Sequence, residues 1–378
     1  MTEAAHVTDE LAVDQLAASP AGPGRYALWR DRPVHRCAAG WVVARPQDVR
    51  AALASPALTV VPPASPGGAG GEPGGRTVGE PGGRTGGRVE GRTGGEPGGR
   101  TAEEVEGRAA RELRGRMARF SDGAEHRARR DRVLGLLPDA AAAEGAARGM
   151  TMAVLAGCAG TREAMELARR VPVEVLARAL GVPGERIGAV VAATGQLCAA
   201  LAPAPGAAGM EDGERAAFPL IEILAGADGD DRAVAVISVL FQAYDATAAL
   251  IGLALALAAG RPGETAAELV ETVLRDDPPV QCTRRTSGRP AVIGGVTIPA
   301  GEAVWVLLAA AERGAPTPPA TFGSGPHGCP GRELATALAR GVVGGVLDAG
   351  WRPVTGPGLA YQPRPNLRMP VSVPVHQR

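Results

Sequence analysis

Phe322-Gly-Ser-Gly-Pro-His-Gly-Cys-Pro-Gly331, running without a break into an apolar helical pattern from Arg332 to Leu347, is the most specific stretch of the chain. Two chemistries suit so many glycines around one nucleophile. Gly323, Gly325 and Gly328 formally satisfy the GxGxxG of a dinucleotide loop, but such a loop must follow a strand, and Pro316 to Ala320 has no strand character. The other reading starts from Cys329, at the head of a helix, where free N–H groups and the macrodipole favour a thiolate. Pro330 suits the first helical position, and Gly325, Gly328 and Gly331 suit a backbone too crowded for side chains. A thiolate exposed there can ligate a metal; the plainer alternative is a buried cysteine in a glycine turn.

Working outward, helical patterns dominate from Ala109 onward: Glu125 to Leu137, Asp139 to Ala159, Thr161 to Leu180, Glu185 to Ala202, Ala216 to Ala225, Asp231 to Ala259 and Glu264 to Asp276. The last of these is stopped by Pro278 and Pro279. Before them, Arg25 to Arg30 reads as a short helix, Pro33 to Arg36 and Trp41 to Ala44 as strands, and Pro46 to Ala54 as a helix opened by proline. Val292 to Thr297 and Ala303 to Leu308 alternate like two strands joined by a tight turn at Ile298-Pro-Ala-Gly301, and Tyr361 to Val375 reads as short strands broken by proline. The expected fold class is mostly α with small β-sheets.

The 378 residues, 45% of them hydrophobic, allow a sizeable core. Forty basic residues, all Arg, balance 40 acidic ones, so no polyanionic partner is favoured overall, and 3% aromatics weaken any stacking-based nucleic-acid reading. Five cysteines, at 37, 158, 198, 282 and 329, are odd in number and form no CxxC pair, which points to a reducing, cytoplasmic setting. No signal peptide is recognisable in the acidic N-terminus. Ala233 to Ala259 is long and apolar, but Gln242 and Asp245 near its middle argue for a core helix rather than a membrane span. Between Pro62 and Glu106, Gly-Glu-Pro-Gly-Gly-Arg-Thr recurs at 71–77, 79–85 and 95–101. With almost no apolar residues, 62–106 is expected to be a disordered loop insertion within one domain spanning 1–378.

At Phe322 to Gly331 the sequence resembles the cytochromes P450, whose haem-ligand motif Phe-Gly-x-Gly-x-His/Arg-x-Cys-x-Gly is complete here. Pro33-Val-His-Arg, Trp41-Val-Val, Asp48-Val-Arg-Ala-Ala-Leu, Gly294-Gly-Val-Thr-Ile-Pro-Ala-Gly301 and the Arg-Pro-Asn-Leu-Arg tail are similar to bacterial members. The resemblance covers nearly the whole chain outside 60–110. It implies haem b held between the long central helix and the helix after the cysteine, with Cys329 as the axial thiolate on iron, where it pushes electron density towards O–O cleavage. The motif residues Phe322, Gly323 and Gly331 would frame that ligand. His126 and Arg130 match the family's His-x-x-x-Arg, which holds haem propionates, and Arg285 and His327 are implied as further propionate partners; the physical need is for cationic donors opposite carboxylates.

The chain also departs from the family. The central helix usually carries Ala/Gly-Gly-x-Asp/Glu-Thr beside the oxygen site; here Gln242-Ala-Tyr-Asp245-Ala246 stands in its place, with Thr247 one position on. Asp245, Thr247 and Tyr244 are the candidates for proton delivery. In the next helix Thr272 occupies the usual Glu position of Glu-x-x-Arg, although Arg275 is present, and the segment before Phe322 is short. The resemblance implies a soluble P450-type monooxygenase that oxidises a small organic molecule, plausibly of specialised metabolism, with a ferredoxin and ferredoxin reductase as partners and neither nucleic acid nor membrane involved. An Arg-rich face at Arg127, Arg129 and Arg132 would meet the ferredoxin. The departures keep two alternatives in view: a degenerate scaffold with a binding role, and a haem protein with peroxide-driven or non-oxidative chemistry.

Overall fold

The computed structural model describes residues 17, 26–60, 109–201, 207–225, 229–311, 320–354 and 358–377. The Gly-rich insertion and most of the short segment before Phe322 lie outside them. In chain order the helices are α1 Ala27–Arg30, α2 Pro46–Ala54, α3 Ala109–Arg116, α4 Gly123–Leu136, α5 Ala140–Ala156, α6 Ala164–Ala179, α7 Ile187–Ala200, α8 Ala207–Ala225, α9 Gly229–Ala258, α10 Ala266–Asp276 and α11 Arg332–Asp348. The strands are β1 His35–Cys37, β2 Gly40–Val43, β3 Leu58–Thr59, β4 Thr161–Glu163, β5 Thr283–Ser287, β6 Ala291–Ile293, β7 Val296–Ile298, β8 Ala303–Val306, β9 Trp351–Pro353 and β10 Pro374–Gln377. The α-rich class with small sheets agrees with the sequence.

The main core is helical. α9 runs through its centre and packs against α4, α6, α7, α8, α10 and α11. It is long and apolar enough to cross a membrane, yet most of it is buried against the other helices. α5 lies along α11 with small residues at the contact: a Cβ at Gly345 would stand 2.8 Å from the Arg148 carbonyl, and Gly341 is closed by Glu144 in the same way. A capping box at Thr265 and Glu268 starts α10. A second, smaller core lies under the five-stranded sheet β1-β2-β8-β5-β3, in which β2 and β8 are parallel and the other pairs antiparallel.

Several boundaries differ from the expected ones. Thr161–Glu163 leaves the helix and pairs with β10, because Pro374 to His376 offers it a strand partner. The turn expected at Ile298 to Gly301 is present, with Gly301 at a φ of 83°, but an earlier one at Gly294 and Gly295, with φ of 56° and 79°, splits the expected first strand so that β6 and β7 close a hairpin there. β8 then pairs with β5 and β2. Arg285 is central in β5.

Candidate functional site

The loop before α11 is shaped by short backbone bonds. Gly323 N–H donates to the Ala320 carbonyl at 2.7 Å, and Cys329 N–H donates to the Phe322 carbonyl at 2.7 Å, folding the segment back on itself. Gly323 and Gly325 both have φ of 67°, a left-handed conformation that favours glycine. A Cβ at Gly325 would also come within 2.8 Å of the Leu53 carbonyl at the end of α2. Gly331 is different: it has ordinary backbone and open space around it, so crowding does not explain it. It is the N-cap of α11, which puts Pro330 outside the helix rather than at its first position.

Cys329 therefore precedes the helix end. Its side chain is accessible, yet burial pushes the thiol up, outweighing the Gly331 N–H and the positive charges of Arg119, Arg130 and Arg332 that pull it down. The expected thiolate is thus not favoured in the protein by itself; a bound metal would supply the missing stabilisation. To be both reachable and desolvated is what the wall of a recess would give a side chain. Arg119 has the same double character: it is exposed, yet burial is the main influence lowering its pKa, and its charge acts on both Cys329 and Arg285.

Around this recess the structure gathers the four cationic residues expected there. His126 of α4 and His327 of the loop stand ring against ring, 4.0 Å between centroids. Arg130, one turn further along α4, is close enough for its charge to lower the pKa of both His126 and Cys329. Arg285 is buried on β5, where it donates to Thr283 Oγ1 at 2.7 Å. Burial first, then His126 and Arg285, push His327 down to about 4, while burial and Arg119 lower Arg285 to about 10. Among the described residues the carboxylate that acts on these groups is Asp122, which accepts from His327 Nε2 at 3.2 Å and from Val60 N–H at 3.1 Å. Asp122 is the N-cap residue of α4, but its side chain serves the cluster instead of the helix.

One carboxylate among two arginines and two histidines leaves a site that an anion would suit. A haem would bring two propionates to the cationic side and an iron to the thiol, so the residues present fit that group by charge and by donor type. The central helix agrees. Its residues 233–240 and 247–255 are buried, but the six between, Phe241 to Ala246, are all half-open, as expected where a helix borders a recess. Thr247 Oγ1 is buried with no hydrogen-bond partner, whereas Ser238 on the same helix donates to the carbonyl one turn back at 2.8 Å.

Asp245, Thr247 and Tyr244 are not brought together. Successive helical residues point about 100° apart, and the three reach different neighbours. Asp245 accepts from Arg364 at 2.8 Å, Tyr244 leans towards α7, where a Cβ at Gly195 would come 2.6 Å from its hydroxyl, and Thr247 is enclosed. The Arg-rich face is partly neutralised: Arg129 pairs with Glu125 at 3.0 Å and Arg132 with Asp231 at 3.2 Å. Arg275, left without its usual Glu, pairs with Asp276 and donates to Thr272 Oγ1 at 3.3 Å. Sequence reasoning missed Arg119, Asp122 and Arg364. Arg119 stands in no motif, Asp122 is legible only as a helix cap, and Arg364 opens the Arg-Pro-Asn-Leu-Arg tail, whose spacing says nothing of its partner Asp245.

No family model matches the chain. It is 33% identical over 141 residues to the cytochrome P-450 monooxygenase DoxA of Streptomyces sp. (strain C5), a match that spans 32% of this chain and only about a third, 33%, of that relative. Solved structures match far more of it. P450BioI in complex with an acyl carrier protein ligated to hexadec-9Z-enoic acid superposes with a TM-score of 0.74 at 17% identity, over 97% of this chain and 100% of that one. P450 RauA, complexed with a biosynthetic intermediate of aurachin RE, superposes with a TM-score of 0.67 at 18% identity, over 96% and 100%. The fold of this chain is thus that of the solved cytochromes P450.

Proposed function

We propose that this chain, whose fold is that of the cytochromes P450, is a haem-thiolate monooxygenase acting on a small organic molecule of bacterial specialised metabolism. The observation that carries the reading is the convergence of His126, Arg130, Arg285 and His327 beside a reachable but desolvated Cys329. We take 1–378 as one P450-like domain with 62–106 as a loop insertion. The link to specialised metabolism is supported by relatives such as RauA, solved with a biosynthetic intermediate.

Haem, when bound, would supply dioxygen activation and an oxidant at iron. The chain's own residues do the rest. Cys329 would hold the iron as its thiolate, which the Gly331 N–H and the charges of Arg119, Arg130 and Arg332 favour. His126, Arg130, Arg285 and His327 would hold the propionates, whose negative charge would offset the arginines and favour protonation of the imidazoles. On the other wall, Asp245 moves protons between solvent and the recess. Thr247, whose hydroxyl has no protein partner, offers the alcohol that Ala246 lacks. Tyr244 shapes the roof against Gly195. Phe322, Gly323 and Gly331 keep the ligand loop in place. A ferredoxin and its reductase supply electrons.

The test is product formation from a panel of small aromatic and polyketide-like molecules, with and without a ferredoxin, its reductase and reduced nicotinamide. Turnover that needs all three supports a monooxygenase. Turnover with peroxide but none with this electron supply, or none at all by haem-loaded protein, contradicts it.

A further inference from the structure

Between α3 and α4 the chain makes a single 3-10 turn, Ala118–Phe120. This turn is held from both sides. Met117 and Ala118 are buried, and the buried Ser121 hydroxyl shares its hydrogen between their carbonyls at 3.2 Å and 3.1 Å. The Phe120 ring reaches α9, where it meets Phe241 with 6.2 Å between centroids, and Phe241 begins the half-open stretch that borders the recess. The guanidiniums of Arg119 and Arg114 both lie over the Phe120 ring, 5.9 Å and 4.5 Å from its centroid. A fixed turn therefore presents two arginines and two aromatic rings at one edge of the recess.

Among the described residues no carboxylate acts on Arg119; the charges it meets are those of Cys329, Arg114 and Cys198. The two carboxylates at the recess are engaged elsewhere, Asp122 by His327 and Asp245 by Arg364. Cys329 belongs to the ligand loop, whereas Cys198 belongs to α7 and its thiol donates to the Phe241 carbonyl at 3.6 Å. Arg119 thus faces the space between the loop and the helices opposite, and a desolvated cation there is stabilised when an anion arrives. We propose that Arg119 anchors the substrate and that the substrate is an apolar acid: its carboxylate pairs with the guanidinium, and its apolar body lies against Phe120 and Phe241. The planar fork of an arginine offers two parallel N–H donors to a carboxylate, and the rings supply apolar area beside it. Arg114 adds positive charge from the same side. The inference rests on the reading of the recess as the haem and substrate pocket. Haem propionates are the competing anions for this guanidinium, and four other basic residues stand ready for them.

The test compares haem-loaded wild type with Arg119→Gln, Arg119→Leu and Arg119→Lys. Glutamine and leucine remove the charge with and without a polar end, so a folding defect in one leaves the other to decide. Haem content and the rate of haem transfer to apomyoglobin are measured first. Calorimetric titration at neutral pH then follows benzoic, 2-naphthoic, 4-phenylbutanoic and decanoic acids, each beside its methyl ester. Wild type is expected to bind at least one acid about tenfold or more tighter than the ester, the worth of a charge-assisted bond. The neutral variants should lose that preference, bind the ester as wild type does and hold haem equally well; lysine keeps the charge without the fork and should retain part of the preference. Equal binding of acid and ester by wild type, no binding of any acid, or a preference kept by the neutral variants would overturn the inference alone. Faster haem loss from the neutral variants would assign Arg119 to the propionates and overturn it too. Failure of the wild type to take up haem would overturn the functional reading, and this inference with it.

Discussion

At His327, burial and the neighbouring charges of His126 and Arg285 push the imidazole down to about 4 from 6.5, against the lift from Asp122. Between those two values the unfolded chain binds a proton that the folded chain refuses. Stability therefore falls as pH is lowered from about 6.5 towards 4, by roughly 3 kcal/mol over the window. Urea titrations of the haem-free protein should show that fall, and His327→Gln should flatten it; an unchanged slope in the variant would mean that His327 is not the group refusing the proton. Propionates would reverse the local charge, so haem-loaded protein should resist acid better through the same window. The four basic residues of this cluster were legible because each stands at a fixed spacing from a recognisable motif. Arg119 was not, because what matters is its approach to Cys329 across the fold, and no spacing encodes that. Pro330 and Gly331 show the opposite case, legible as residues but displaced by one or two positions in their helical roles.

Helix α11 carries Gly341 and Gly345 against α5, and the close approach of the two helices positions the helix that follows the ligand loop. Gly345→Leu should cost about 1–3 kcal/mol through overpacking, read as a lower unfolding midpoint with the far-ultraviolet spectrum retained. A second junction concerns the missing Glu-x-x-Arg partner. Arg275 is 60% exposed and paired locally, whereas Arg368 is 2% exposed and joined to Asp277. Removing one partner of a buried pair costs about 3–5 kcal/mol, and an exposed pair contributes about 0–1 kcal/mol. Arg368→Ala should therefore destabilise far more than Arg275→Ala in chemical denaturation; the reverse order would show that the usual lock persists. The helix Pro46–Ala54, opened by its proline, was read to the residue. Strands of three residues, such as Thr161–Glu163, were lost because their pairing partners lie far away in sequence.

Over the whole molecule, the α-rich architecture followed from helical periodicity, and the burial of the apolar central helix followed from its two polar residues near the middle. What periodicity could not supply was the relation between elements: the sheet that sets Arg285 in its centre, the hairpin turn at Gly294, and the C-terminal segment that reaches back to Asp245. These arise from packing of distant segments. The central claim is that the recess beside Cys329 holds a haem ligated by its thiolate. The most direct measurement is the absorption spectrum of haem-reconstituted protein, reduced and exposed to carbon monoxide, beside a Cys329→Ala variant. A red-shifted Soret band of the thiolate type, absent from the variant, is the expected result; a protein that binds no haem, or one whose spectrum is the same without Cys329, would contradict the account.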